Sequence, residues 1–222
     1  MSYTTEVASE VLHVVRVNRF WMTWNLALAA VPAILAIPLF WGTHRRTPLW
    51  WLGVVVFALF LPNAPYVVTD IIHLRLDAAR ISSDAALVFG VLPLYLLFIA
   101  LGLGSYLFCL AGIEREVHSV RPTVPRLAIE LPVHALCALG IVLGRVARLN
   151  SWDTIARPVG TIERVFSTLT WRGVPVAFVL VFVAVWASST VLRVLLVAAA
   201  ASGRRLARGL RPAARSTEAA AS

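Results

Sequence analysis

Residues 85–113, AALVFGVLPLYLLFIALGLGSYLFCLAGI, form a stretch of 29 residues that contains no Asp, Glu, Lys or Arg. At a rise of about 1.5 Å per residue, a helix of this length exceeds the roughly 30 Å hydrocarbon core of a bilayer. Four further uncharged runs occur along the chain, at Phe20–Trp41, Thr47–Thr69, Leu131–Gly144 and Gly173–Leu192. The sequence therefore predicts an all-α polytopic bundle of about five transmembrane helices.

The predicted helices cover about residues 20–41, 48–74, 85–111, 127–148 and 173–197. They form a single transmembrane domain over residues 1–200. The remaining residues, 201–222, form a basic tail that is predicted to be disordered beyond the fifth helix.

The composition excludes a large water-exposed catalytic domain. The chain is 59% hydrophobic and 14% charged, whereas soluble proteins average roughly 45–50% apolar and about 25% charged residues. All 20 basic residues are arginine and the net charge is +9. Without a soluble domain to hold a duplex, this charge predicts no nucleic-acid partner, and the arginines are interpreted as membrane anchors and topology signals.

The absence of lysine is interpreted as the codon bias of a GC-rich bacterium. The distribution of arginine gives the orientation. Arg45 and Arg46 lie in the shortest loop, and the C-terminal tail holds the densest arginine cluster. By the positive-inside rule, these segments and the C-terminus are predicted to be cytoplasmic.

The second uncharged run continues into the segment LPNAPYVVTDIIHL, residues 61–74. Pro62 and Pro65 lack a backbone N–H and crowd the preceding turn, so the second helix is predicted to break there. Asn63 is expected to satisfy backbone groups that the break frees. Irregular backbone at membrane depth requires cover from protein or from a water-filled cavity.

Tyr66, Asp70 and His73 are spaced to share one face of the helix that follows the break. This arrangement favours binding of a cation, binding of a polar head group, or proton relay. The alternative is that Asp70 caps a helix or pairs with Arg75 at the interface.

A second polar cluster ends the fourth helix, just after the pair Gly140 and Gly144, which allows another helix to approach closely. Arg145 and Arg148 are one turn apart and are suited to holding an anion. Their alternative role is as interface anchors. Three further polar candidates follow, with a helix cap or an interfacial tryptophan as their alternative role: Asn150, Trp152 and Asp153.

The order of the helices brings these clusters together. The second and fourth helices end on the same membrane face, where the first helix starts with Arg19, Trp24 and Asn25. A candidate ligand site is therefore expected at this face, which the charge distribution predicts to be extracytoplasmic. Trp21 and Trp41, about 30 Å apart along a helix, are interpreted as interfacial residues at the two membrane surfaces.

A metal site is not predicted. Glu130 and His134 are four residues apart, as in zinc-binding helices, but they lie in the opposite half of the bundle from Asp70 and His73. Each half then holds too few ligands. No catalytic or cofactor-binding fingerprint occurs in the sequence, so no cofactor and no catalytic residue are predicted.

The motifs resemble those of the bacterial membrane family known as domain of unknown function 1361. The resemblance rests on FLPNAPY at 60–66 with Thr69, Asp70 and His73, and on Gly144-Arg145 followed by residues 148–153. It extends from about Arg19 to the fifth helix and includes the Trp24-Asn25 pair, but not Glu130 and His134. The resemblance implies a multi-helix inner-membrane protein with no established activity.

Three functions are compatible with these observations. The first is binding or translocation of a small ion, an anionic solute or a lipid head group. The second is an intramembrane enzyme acting on a lipid-linked or phosphate-containing substrate. The third is an accessory or scaffold protein. The implied partners are the lipid bilayer, a small solute or head group, and a second copy of the chain, because five helices lack the paired halves of an inverted-repeat transporter.

Overall fold

The computed structural model describes residues 3–42, 46–146, 156 and 158–209, and these residues are helical apart from short turns, with no β-strand among them. Five helical stretches are long and apolar enough to cross a membrane, which confirms the all-α polytopic bundle. These spans are Tyr3–Trp41, Pro48–Ala78, Asp84–Val120, Arg126–Val146 and Val174–Arg205.

Several spans contain more than one helical element. The first comprises α1 and a π-helical turn, the second comprises α2 to α4 with one 3₁₀ turn, and the third comprises α5, a π-helical turn and α6. In chain order the elements are α1 (Tyr3–Ala36), the π turn Ile37–Trp41, α2 (Pro48–Phe60), α3 (Asn63–Tyr66), the 3₁₀ turn Val67–Asp70, α4 (Ile71–Ala78), α5 (Asp84–Ala86), the π turn Leu87–Val91, α6 (Leu92–Val120), α7 (Arg126–Val146), α8 (Pro158–Leu169) and α9 (Val174–Gly209).

The helices extend beyond the uncharged runs that predict them. Helix α1 begins at Tyr3 rather than near residue 20, α6 continues to Val120 rather than 111, and α9 includes residues 201–209 of the predicted tail. An uncharged run marks only the part of a helix that lies in the hydrocarbon. Backbone hydrogen bonding continues into the aqueous layer, where charged side chains are tolerated.

The second span is broken at the prolines, as predicted. Helix α2 ends at Phe60, and Leu61 and Pro62 form a turn before α3 begins at Asn63. Asn63 Nδ2 donates a hydrogen bond of 2.9 Å to the carbonyl oxygen of Phe60. The amide therefore satisfies a backbone group at the break, which is the role expected for it.

Two glycines on neighbouring spans provide the space for this broken segment. A Cβ atom placed at Gly140 of α7 would lie 2.5 Å from Cγ of Pro62, and one placed at Gly102 of α6 would collide with Val67. Only glycine permits such close approach of a helix backbone. The break is thus packed between the third and fourth spans, which positions the residues that follow it.

An ion cluster joins the third, fourth and fifth spans at the opposite end of the bundle. Glu130 lies 2.5 Å from Arg193 Nη1 and 2.8 Å from Arg126 Nε. Glu114 lies 3.1 Å from the same Nε of Arg126. Two carboxylates and two guanidinium groups balance each other in charge, which is what allows Glu130 to be 95% buried.

Candidate functional site

The first group of polar side chains is centred on Asp70, which is only 2% exposed at the end of the 3₁₀ turn. Its Oδ2 accepts a hydrogen bond of 2.8 Å from Asn25 Nδ2 of the first span. Its Oδ1 pairs with the guanidinium group of Arg145 on the fourth span. The structure thus brings together three segments that the helix order predicted to share one membrane face.

Arg145 is fixed by more than its carboxylate partner. Its Nε and Nη2 donate hydrogen bonds of 3.1 and 2.7 Å to Thr69 Oγ1. Its Cζ lies 4.4 Å from the centre of the Tyr66 ring, a cation–π contact. The side chain is nevertheless 30% exposed. Within the described ranges, no hydrogen bond uses its Nη1.

Asp70 belongs to a ladder of contacts between the first and second spans. Residues 18, 21 and 25 of α1 face residues 77, 73 and 70, so each of the two antiparallel segments contributes three side chains over eight residues. The three contacts are the Asn25–Asp70 hydrogen bond, a Trp21–His73 ring contact with centroids 4.6 Å apart, and a hydrogen bond from Asn18 Nδ2 to Asp77 Oδ2. Two Asn–Asp layers therefore lie about 10 Å apart along the helices.

The second layer differs from the first in its partners. Asp77 is 6% exposed, and its Oδ2 accepts hydrogen bonds from Asn18 and, at 2.8 Å, from the Tyr95 hydroxyl. No cationic side chain of the described residues lies within 4.0 Å of this carboxylate. Asp77 is therefore a buried carboxylate without a counter-charge among the residues that the structure describes, whereas Asp70 has Arg145.

Trp21 makes contacts inside the bundle that its interpretation as an interfacial residue did not include. Its indole Nε1 donates a hydrogen bond of 2.7 Å to Asn18 Oδ1, and its ring packs edge-on against Phe98 at 5.5 Å. The Trp21 side chain thus faces the other spans. It lies between the two Asn–Asp layers, where it contacts His73 and donates to Asn18. An amphipathic indole satisfies both an interface and a polar interior, so tryptophan position alone did not separate the two.

The predicted site residues fall into three sets. Arg145 contacts both Tyr66 and Asp70 directly. His73 forms the next contact of the ladder, with Trp21, and Asn63 supports the backbone at the break. The remaining four lie outside the described residues: Arg148, Asn150, Trp152 and Asp153.

Sequence reasoning missed four residues of this region, namely Asn18, Thr69, Asp77 and Tyr95 as side-chain partners. The signal for two of them was available. Asn18, Trp21 and Asn25 repeat at helical spacing, and so do Asp70, His73 and Asp77, which is the pattern of two facing helices.

The Glu130 and His134 pair, the alternative metal position, has other partners. Glu130 is held by Arg126 and Arg193, and His134 is 1% exposed with its Nδ1 hydrogen-bonded at 2.7 Å to the Tyr106 hydroxyl. The described part of the chain contains no cluster of three or more His, Cys, Asp or Glu side chains that could hold a metal ion. Both residues therefore serve helix packing in this structure.

The residues of this site were compared with known protein families. The family model described as "Protein of unknown function (DUF1361)" matches residues 24–187. The chain belongs to this family. The DUF1361 segment includes Asn25, Asp70 and Arg145 but begins after Asn18, so the Asp70 layer lies wholly within it and the Asp77 layer only in part. No curated protein and no solved structure matches the chain. Family membership and the five apolar spans identify an integral membrane protein of unknown activity.

Proposed function

We propose that this DUF1361 protein binds a phosphate-bearing anion, chiefly the head group of an anionic lipid, at Arg145. One observation carries the proposal. The Arg145 guanidinium is held by Asp70, Thr69 and Tyr66, yet the side chain is 30% exposed and its Nη1 has no hydrogen-bond partner among the described residues. A planar guanidinium donates paired, charge-assisted hydrogen bonds to phosphate oxygens, which makes it the side chain best suited to such a ligand.

The fixed position of Arg145 favours binding energetically. A free arginine side chain loses rotamer freedom when it binds a ligand, at a cost of about 0.5–1.5 kcal/mol. Here the ion pair, the hydrogen bonds to Thr69 and the stacking on Tyr66 have already restricted the side chain. The anion therefore meets a preorganised donor.

The depth of the group supports a lipid ligand. Asp70 is the first residue after the uncharged run of the second span, and Arg145 is the first residue after that of the fourth. Both residues therefore lie where hydrocarbon gives way to head groups. Arg16 and Arg19 are exposed on α1 at the same end of the bundle and add positive charge there.

The contacts favour binding over the enzymatic alternative. A general base needs a lone pair that can reach the substrate. The Asp70 carboxylate is only 2% exposed and its two oxygens accept from Asn25 and Arg145, so no substrate reaches its remaining lone pairs, and His73 packs its ring against Trp21. A bare cation is likewise disfavoured, because Arg145 already neutralises the carboxylate.

The scaffold function is the second candidate, and it too rests on a specific observation. Asp70 joins the first, second and fourth spans through its two oxygens. In that account the whole group is a structural junction, and Arg145 binds no ligand.

Lipid retention measured by native mass spectrometry tests the proposal. The full chain is released from nanodiscs containing equal amounts of phosphatidylglycerol and phosphatidylcholine. Arg145→Lys keeps the charge and the ion pair with Asp70 but loses the planar donor set, so the variant is expected to fold and to lose its preference for phosphatidylglycerol. Arg19→Lys, at an exposed arginine of the same end, is the matched control and is expected to keep it.

Two results separate the outcomes. Equal retention of phosphatidylglycerol by folded Arg145→Lys and wild type contradicts head-group binding and favours the junction. Competition by soluble glycerol phosphate distinguishes the source of the anion: displacement of the lipid at millimolar concentration shows that the phosphate alone is recognised, and no displacement shows that the acyl chains contribute.

We also propose that the Asp70 end of the bundle is extracytoplasmic in a bacterial inner membrane, with the C-terminus in the cytoplasm. The support is the positive-inside rule applied to Arg45, Arg46 and the arginines of the C-terminal segment. Labelling of Arg80→Cys in intact cells with a membrane-impermeant maleimide tests it, because Arg80 is exposed at the Asp70 end. Labelling is expected before lysis, and labelling only after lysis contradicts this orientation.

A further inference from the structure

A cleft of about 210 Å³ opens beside the Asp77 layer, between the N-terminal part of α1 and the end of α4. Val14 and Val17 form part of its apolar wall, and four of its lining residues are ionisable: Glu10, His13, Asp77 and Arg80. It lies apart from Arg145 and is built in part from α1 residues that precede the DUF1361 match.

Asp77 presents an unused acceptor to this cleft. Its Oδ2 takes both hydrogen bonds, from Asn18 and Tyr95, and no described residue donates to its Oδ1. Among the described residues no completely buried side-chain oxygen or nitrogen lacks a partner, so Oδ1 is not completely buried, and Asp77 is one of the residues that line the cleft. A carboxylate that is 94% buried and has no counter-charge is costly unless something polar reaches it. The cleft is the place from which a cationic group can do so.

Two other ionisable residues of the cleft, Glu10 and Arg80, differ in whether they already have a partner in the protein. Glu10 is occupied, because its two oxygens accept hydrogen bonds from Ser82 and Ser83 and close the loop against α1. Arg80 is exposed and forms no ion pair within 4.0 Å with any described carboxylate, Asp77 included. The cleft therefore holds two carboxylates that have no ion pair with any described residue, of which only Asp77 keeps an oxygen without a hydrogen-bond donor, and one guanidinium group, that of Arg80, at its edge.

From this juxtaposition we propose that the cleft binds an ethanolamine phosphate group, with its ammonium donating to Asp77 Oδ1 and its phosphate paired with Arg80. The ammonium supplies the counter-charge and the hydrogen bonds that Asp77 lacks. A simple anion leaves the buried carboxylate uncompensated, and a simple cation leaves Arg80 unused. A small zwitterion satisfies both.

Size and position support this choice of ligand. The cleft is smaller than the 300–1,000 Å³ typical of sites for drug-sized ligands, which limits the occupant to a head group or a molecule of similar size. The wall formed by Val14 and Val17 lies three to six residues before the uncharged run of α1, which is about 5–9 Å beyond the hydrocarbon. Lipid head groups occupy that layer.

Isothermal titration of the full chain in phosphatidylcholine nanodiscs tests the proposal. The probes are glycerophosphoethanolamine, glycerophosphocholine and glycerol phosphate. Wild type is expected to bind glycerophosphoethanolamine at least about tenfold more tightly than the choline analogue, since trimethylation removes every ammonium hydrogen-bond donor. Asp77→Asn is expected to abolish that preference. Arg80→Gln is expected to weaken glycerophosphoethanolamine about tenfold while the preference over the choline analogue remains.

Asp84→Asn is the matched control. It removes one acidic residue from an exposed position in the same part of the bundle, and Asp84 does not line the cleft. It is expected to bind like wild type. If Asp77→Asn does not fold, Arg80→Gln, at an exposed residue, still tests the site.

Three results overturn the proposal. They are no binding of glycerophosphoethanolamine, equal affinity for the ethanolamine and choline analogues, or unchanged affinity in Arg80→Gln.

The source of the ethanolamine phosphate group is tested by repeating the titration in nanodiscs that contain phosphatidylethanolamine. Loss of the soluble probe's binding there shows that the membrane lipid occupies the cleft, and unchanged binding shows that the soluble compound is the ligand. None of these outcomes depends on Arg145.

Discussion

The two Asn–Asp layers between the first and second spans have the same side-chain pairing and different electrostatics. In both, an asparagine of α1 donates to an aspartate of the second span. Asp70 is also paired with Arg145 of the fourth span, whereas Asp77 receives only the neutral hydroxyl of Tyr95 and faces a cleft. The layer nearer the hydrocarbon is thus charge-balanced by Arg145, and the outer layer has no counter-charge in the described part of the chain.

The difference follows from the depth of each layer. Water is scarce at the boundary of the hydrocarbon, so a carboxylate there must be neutralised by the protein itself. Further out, a cleft can supply water or a ligand. The inner layer therefore positions an arginine and the outer layer leaves an acceptor open, which is why we assign an anionic ligand to the first and a zwitterion to the second.

The largest effect is expected from Arg145→Gln. The substitution leaves Asp70 buried without a counter-charge, and loss of one partner of a buried ion pair typically costs about 3–5 kcal/mol. Thermal unfolding in nanodiscs measures the loss. The double variant Asp70→Asn/Arg145→Gln is the control and is expected to recover much of it. Equal instability of single and double variants contradicts the charge-balance explanation.

Packing at the break gives the next effect. Gly140→Ala places a Cβ against Pro62, and overpacking of this kind costs about 1–3 kcal/mol. Gly104→Ala, where a Cβ meets no atom within 4 Å, is the matched control in the third span. Because the break positions Asp70, Gly140→Ala is also expected to reduce phosphatidylglycerol retention. Wild-type stability of Gly140→Ala indicates that the broken segment is packed less tightly than described.

Tyr95→Phe tests the outer layer and is expected to have a smaller effect than Arg145→Gln. It removes one hydrogen bond to Asp77, worth about 1.5–3 kcal/mol for a charged acceptor when nothing replaces it. Water from the cleft can replace part of it, so a loss near 1 kcal/mol is expected by the same measurement. A loss of stability as large as that of Arg145→Gln means that water from the cleft does not reach Asp77.

The smallest effect on stability is expected from Arg80→Gln. Arg80 is exposed and has no ion pair with any described residue, and such surface substitutions usually change stability by less than about 0.5 kcal/mol. The variant is expected to unfold like wild type. A clear destabilisation shows that Arg80 compensates Asp77 within the protein, which removes the distinction between the two layers.

Much of the fold follows from the sequence because hydrocarbon imposes a simple rule on helix length. The five spans, the break at the prolines and the use of Asn63 are all local consequences of composition and backbone chemistry. The convergence of Asn25, Asp70 and Arg145 follows from counting membrane crossings. These predictions did not require knowledge of how the helices pack.

What required the structure is the identity of contacts between spans. The rotation of each helix decides that Trp21 faces His73 rather than lipid, and that Glu130 meets Arg193 from the fifth span. Asn18 and Asp77 lie outside the uncharged runs and look like surface residues in the sequence. They become buried only because α1 and α4 continue in contact beyond the hydrocarbon.

The central claim is that Arg145, fixed by Asp70, binds a head-group phosphate through its remaining edge. An experimental structure of the full chain in nanodiscs rich in phosphatidylglycerol tests it most directly. We predict a phosphate oxygen at about 2.7–2.9 Å from Arg145 Nη1, with the Asp70 pair intact. A structure in which Nη1 donates instead to a carbonyl or carboxylate of the protein, with no head group beside it, contradicts the claim.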